Sequence, residues 1–174
     1  METEKKSKKI TIKKVFGDLL YIIIPVVVVY ILCTYVILLG DVKSGSMEPS
    51  VMTGDYIVVN RLAYSDTKPK RGDIISFYSF EEKMILLKRI IGLPGETVSF
   101  QKGYVFIDGN LLEEDYLQDG VMTYDEDSYE VPKDSYFLMG DNRENSIDAR
   151  DWGVPFILED NIYGKLAFDI SLPW

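Results

Sequence analysis

Histidine is absent from the 174 residues and cysteine occurs once, so any covalent catalysis must run without an imidazole. A Ser-His-Asp triad, a Cys-His pair, a His-based zinc site and an intramolecular disulfide are all excluded. The remaining candidates gather in two stretches. Ser44-Gly45-Ser46-Met47-Glu48-Pro49 offers two hydroxyls on a bend that glycine permits and proline closes. Met84-Ile85-Leu86-Leu87-Lys88-Arg89-Ile90-Ile91 carries two cations through an otherwise apolar strand.

Side chains alternate across a strand, so Met84, Leu86, Lys88 and Ile90 share one face and Ile85, Leu87, Arg89 and Ile91 the other. Apart from the cations both faces are apolar, so at least one cation is held against the interior. Lys88 either snorkels to solvent or pairs with a carboxylate, or burial disfavours its ammonium and lowers its pKa. A lysine must fall by about 3 units from ~10.4, roughly 4 kcal/mol, to serve as a base near neutrality, and desolvation supplies shifts of that size. A neutral Lys88 beside Ser46 would take the hydroxyl proton, which gives a histidine-free chain a way to activate a serine. Ser46 would attack a peptide carbonyl, Lys88 would pass the proton to the leaving amine, and Lys88 would then activate water. The Ser46 backbone N–H and the Ser44 hydroxyl would supply oxyanion donors, and a hydroxyl such as Ser146 would orient the amine. Taken alone, Ser44 to Pro49 reads equally well as a linker turn.

Two larger elements must position these groups. Leu19 to Leu39 is a run of 21 residues without a charge, about 30 Å as a helix, which matches a bilayer's hydrocarbon core. A cleavable signal peptide has a shorter apolar region and a small-x-small site, which Gly40-Asp41-Val42-Lys43 does not provide. The charge balance is +3 before Gly40 and −12 after it. The expected organisation is a cytoplasmic basic tail (1–18), a single transmembrane anchor (19–40) and an extracytoplasmic domain (41–174) in the cell membrane, oriented by the lysines. Ser46 would then lie within about 20 Å of the lipid bilayer. An acidic domain argues against nucleic acid as a partner.

Beyond the anchor, Tyr56 to Asn60, Ile74 to Tyr78, Met84 to Ile91, Thr97 to Phe100, Tyr104 to Ile107, Leu111-Leu112, Tyr136 to Met139 and Ile162 to Ile170 read as strands. Turns at Lys102-Gly103 and Asp108-Gly109 make a meander. Residues 113–130, with eight acidic side chains, read as a solvated surface loop whose spacing does not fit a calcium loop. The fold class is mostly β, an antiparallel domain behind one transmembrane helix.

Four motifs in order complete the picture: Ser44 to Pro49, Gly54-Asp55, Lys88 to Gly95, and Gly140-Asp141-Asn142-Arg143 with Ser146, Asp148 and Arg150. Together they resemble the motif set of type I signal peptidases. The resemblance implies a membrane-bound serine endopeptidase of largely antiparallel β fold that removes signal peptides from exported preproteins after a small-x-small sequence. By motif, Ser46 matches the nucleophile, Lys88 the general base, Ser44 the oxyanion-hole hydroxyl and Ser146 the serine that holds the lysine. Asp148 and Arg150 match a bracing ion pair, which the residues alone would also allow as a surface pair. No metal or organic cofactor is implied, and the oligomeric state is not indicated. Ser50, Glu96 and Ala149 stand where the family often has Thr, Asp and Ser; Ala149 removes any hydroxyl contribution there. Two other readings fit the residues: a self-cleaving Ser/Lys protease, and a non-catalytic membrane-tethered β domain that binds secretion proteins.

Overall fold

The computed structural model describes residues 12–125 and 127–171, so Lys5, Lys6, Lys8 and Lys9 of the expected basic tail lie outside them. The chain divides between Val36 and Ile37 into two units. The first is helix α1, Ile12–Ile31, which contains Pro25 and continues as a π-helical turn, Leu32–Val36. From Lys14 to Val36 this helix is long and apolar enough to cross a membrane. Its apolar side chains point outward all round, and a helix apolar on every side requires a non-aqueous surround.

The helix departs from the expected 19–40 span at both ends. It starts earlier, at Ile12, and the end of the apolar run leaves it for strand β1, Ile37–Asp41. The cause is pairing: β1 forms an antiparallel ladder with β2, Tyr56–Asn60, setting Leu38 opposite Val59 and Leu39 opposite Val58. Hydropathy alone does not separate a strand from the helix it continues.

The second unit is antiparallel β, as the strand pattern predicts, and it holds two sheets. The further strands are β3 (Ile74–Ser79), β4 (Met84–Gly92), β5 (Thr97–Gln101), β6 (Tyr104–Ile107), β7 (Asn110–Leu111), β8 (Ser128–Glu130), β9 (Ser135–Met139), β10 (Ile157–Leu158) and β11 (Ile162–Ile170). With β1 and β2 these make eleven strands among the described residues: seven form one sheet in the order β1-β2-β11-β3-β4-β9-β10, and four form the other in the order β7-β6-β5-β8. The hairpins β5–β6 and β6–β7 turn through Lys102-Gly103 and Asp108-Gly109, whose backbones are all left-handed. That is the two-residue turn matching the natural strand twist. The core is continuous across both sheets: Ile75, Phe77, Ile90, Ile91, Val98, Val105, Phe137 and Leu138 are fully buried. At about 1.5–3 kcal/mol per buried large side chain, this core makes the scaffold on which the serines and lysine are mounted.

Candidate active site

Ser46 sits in a single 3-10 turn, Gly45–Met47. Met47 and Val51 are fully buried and anchor the turn from below, and the Val51 amide donates to the Met47 carbonyl at 3.0 Å. Glu48 fixes the far end, its carboxylate accepting from the Thr53 hydroxyl at 2.8 Å; the Glu48–Pro49 peptide is cis. Ser44 precedes the turn in extended conformation, and its hydroxyl makes no capping bond.

The turn packs on β4, and both serines line a cleft of about 220 Å³. Leu38 to Asp41 of β1 form one wall and Met84 to Leu87 of β4 the other, with Ile57 and Ser76 between them. Strand β9 pairs with β4 only at Arg89, Ile90 and Gly92. Among the described residues, Met84 to Lys88 therefore has a strand partner on one side only, and β1 lies at the sheet's end. An apolar cleft edged by open backbone groups can take an extended peptide as an added strand.

Lys88 follows Leu87 directly along that wall and is 2% exposed. Among the described residues it forms no salt bridge. Burial pulls its pKa down to about 8; the Asp148 charge opposes the shift and the Arg150 charge adds to it. The lysine is drawn towards its neutral form by burial, the cause expected from its apolar flanks. Arg89, its neighbour on the opposite face, is also buried.

The segment after β9 closes the site. The Gly140 amide donates to Asp148 at 2.9 Å, and Asp148 takes Arg150 with both oxygens, from Nε at 2.8 Å and Nη2 at 2.9 Å. Asp148 is fully buried and Arg150 nearly so, which rules out the surface-pair reading. Burial lowers the Arg150 pKa, but the bond to Asp148 and the charges of Asp148 and Asp151 outweigh it and raise it further. Gly140 itself lies against the Ser46 turn: a Cβ there would strike both the Ser146 hydroxyl and the Ser46 carbonyl oxygen. Ser146 is thus brought to the Ser46 turn, and its buried hydroxyl has no hydrogen-bond partner among the described residues. The Asn142 amide donates to the Ser46 carbonyl at 3.1 Å. Among the described residues no group of His, Cys, Asp or Glu could hold a metal ion.

A family model described as "Signal peptidase, peptidase S26" matches residues 12–171. The chain belongs to the signal peptidase family. It is 34% identical over 152 residues to signal peptidase I P of Bacillus subtilis subsp. natto, with 82% of each chain covered. Against signal peptidase I of Pseudomonas aeruginosa the identity is 32%, covering 84% of this chain and 69% of that one. Signal peptidase I of Leptolyngbya laminosa is 39% identical over 71% of this chain, which spans 64% of that relative's length. A crystal structure of a signal peptidase I from Enterococcus faecalis is similar with a TM-score of 0.51 and 33% identity, over 58% of this chain and 98% of that one. The family and the apolar helix together support a membrane-anchored protein.

Within this signal peptidase frame, three charged contacts escaped the sequence reading. Arg89 grips Asp141, 52 residues away, through Nε at 2.8 Å and Nη2 at 2.6 Å, and lies over the Tyr116 ring at 3.9 Å. Arg143, buried, donates to the Gly140 carbonyl at 3.0 Å and to Thr123 and Glu114. The segment 113–130 is therefore not simply a solvated loop. Glu114, Tyr116 and Thr123 dock it behind the site, because the buried Arg143 needs a counter-charge, and its end forms β8. The cue was available in Tyr116 and Thr123, which interrupt an acidic stretch. The departures also find their places. The Ser50 hydroxyl accepts from Arg89 at 3.2 Å, Glu96 accepts from Arg71 and the Leu93 amide, and Ala149 is wholly buried in the core.

Proposed function

We propose that the chain removes signal peptides from exported preproteins by serine endopeptidase chemistry, with Ser46 as nucleophile and Lys88 as general base. The observation that carries this reading is Lys88: a lysine 2% exposed, with its pKa drawn down to about 8, mounted next to the cleft that Ser46 lines. An extended preprotein segment adds beside Met84 to Lys88, presenting its scissile carbonyl to Ser46. Lys88 takes the hydroxyl proton as Oγ attacks and delivers it to the departing amine. It then draws a proton from water as the water oxygen bonds to the acyl carbon, and returns that proton to Ser46 Oγ as the ester bond breaks, which releases the acid and restores Ser46. The oxyanion is held by the Ser46 amide and the Ser44 hydroxyl, and the unpartnered Ser146 hydroxyl steadies the amine. The Asp148–Arg150 pair braces the segment that carries Ser146. A cleft of about 220 Å³ walled by leucines and isoleucines suits small residues flanking the cut. The basic tail lies in the cytoplasm, the apolar helix that ends at Val36 is the anchor, and the β domain from Ile37 onward is extracytoplasmic.

The test is cleavage of a preprotein bearing a small-x-small site by purified enzyme in detergent. Wild type cuts after that site, and Ser46→Ala and Lys88→Ala each lose at least about a thousandfold in rate while keeping their fold by circular dichroism. Near wild-type turnover by Lys88→Ala would overturn the dyad.

A further inference from the structure

Asn142 makes two contacts with the nucleophile turn. Its backbone N–H donates to the Ser46 carbonyl at 3.1 Å, and its side-chain Nδ2 donates to the Gly45 carbonyl at 3.0 Å across 97 residues of sequence. The two carbonyls belong to the two peptide groups on either side of Ser46. One residue therefore contacts both planes that flank the attacking hydroxyl, adding to the bond that the Gly45 carbonyl accepts from the Glu48 N–H at 3.2 Å within the turn. The Asn142 amide is itself held, since its Oδ1 accepts from Asn145 Nδ2 at 3.1 Å, which leaves Nδ2 to face Gly45.

The Gly45 carbonyl and the Ser46 N–H are opposite ends of one planar trans peptide, so fixing the oxygen fixes the direction in which the N–H points. A hydrogen bond accepted by the carbonyl also polarises the group and strengthens its N–H as a donor. The Ser46 N–H is the donor assigned above to the oxyanion. Such donors act by being aimed before the charge develops. We infer that Asn142 is a positioning residue that aims the Ser46 amide at the oxyanion, acting through the Gly45 carbonyl and touching neither substrate nor Lys88. The inference rests on Ser46 being the nucleophile.

The experiment compares wild type, Asn142→Ala and Asn142→Asp. The aspartate keeps the shape and can still accept from Asn145, but it offers an acceptor where Gly45 needs a donor. Three readouts are taken: steady-state cleavage, affinity for a peptide boronate ending in alanine, and affinity for the matching cleaved peptide with a free carboxylate. The boronate adds to Ser46 through one Oγ–B bond, with the hydroxyl proton passing to Lys88, and sets a boron oxygen in the oxyanion position. Loss of aim lowers kcat by about 10- to 100-fold, less than deleting a donor outright, with KM within about threefold. Boronate affinity falls by the same factor and cleaved-peptide affinity stays; in Asn142→Ala, which adds no charge, the pH midpoint remains near its wild-type value. Wild-type kcat in the aspartate variant would sink the inference, as would a shifted pH midpoint in the alanine variant or an equal loss of cleaved-peptide affinity. If Asn142→Ala does not fold, the aspartate variant decides alone. A wild type that neither cleaves nor takes the boronate removes the Ser46 assignment and this inference with it; a competent wild type matched by both variants removes this inference only.

Discussion

Arg89 and Asp141 meet side-on in the interior, guanidinium Nε on one carboxylate oxygen at 2.8 Å and Nη2 on the other at 2.6 Å. The pair ties the residue after Lys88 to the residue after Gly140, so one contact joins the strand of Lys88 to the segment of Ser146. Removing one member leaves the other charge buried and unpaired, which costs about 3–5 kcal/mol. Arg89→Met and Asp141→Leu are each expected to lose stability on that scale in urea melts. The double variant should lose less than either single one, because no stranded charge remains.

Lys88 opposes the stability of the fold it serves. Its folded pKa of about 8 lies below the unfolded 10.5, so the unfolded chain takes up the proton first as pH falls. Stability drops between about pH 10.5 and 8 and stays lower beneath, by roughly 3 kcal/mol in total. Lys88→Met should therefore be more stable than wild type at pH 7 by about that amount while cleaving nothing, and the gain should vanish above about pH 10.5. Parallel urea titrations at pH 7 and pH 10.5 measure it; an equal difference at both would contradict the assigned burial penalty.

The same ionisation sets the rate profile. Only neutral Lys88 accepts the proton, so kcat/KM should rise about tenfold per pH unit below its pKa and level off above about pH 8. A flat profile from pH 6 to 9 would exclude this lysine as the titrating base.

Gly140→Ala tests how closely the two segments are fitted. A single methyl there meets the Ser146 hydroxyl and the Ser46 carbonyl oxygen, and relief requires moving one of them. Overpacking of this kind costs about 1–3 kcal/mol in stability. The loss in kcat should exceed about a hundredfold, since displacement of about 1 Å misplaces the reacting groups. Cleavage within a few-fold of wild type would show that the turn yields without harm.

Sequence reading succeeded where one residue's own surroundings decide its fate. Ile57, Val58 and Val59 mark β2 by branching, Lys102-Gly103 marks a hairpin by its backbone needs, and the leucines and isoleucines around Lys88 foretell its burial. It failed where a distant partner decides. Ile37 to Asp41 becomes a strand because β2 is there to pair with it, and β8 and β10 are short strands that exist through β5 and β9. Glu114 is indistinguishable from Glu113 in composition, yet it carries the charge that Arg143 requires. Burial of Arg89 could be suspected from its strand, but its partner Asp141 could not be named, because nothing local links positions so far apart.

The half-laddered strand β4 has a further consequence. Its free row of amides and carbonyls from Met84 to Lys88 can be matched only by a chain already drawn straight, since a helix or a tight turn spends those same groups internally. Selection thus acts on conformation before it acts on side chains. A small-x-small tripeptide locked within a folded domain is invisible to this edge, while the same three residues on a slack, newly exported segment are not. An enzyme that takes its substrate along this edge, as proposed above, would detect unfoldedness and spare finished proteins because they have folded.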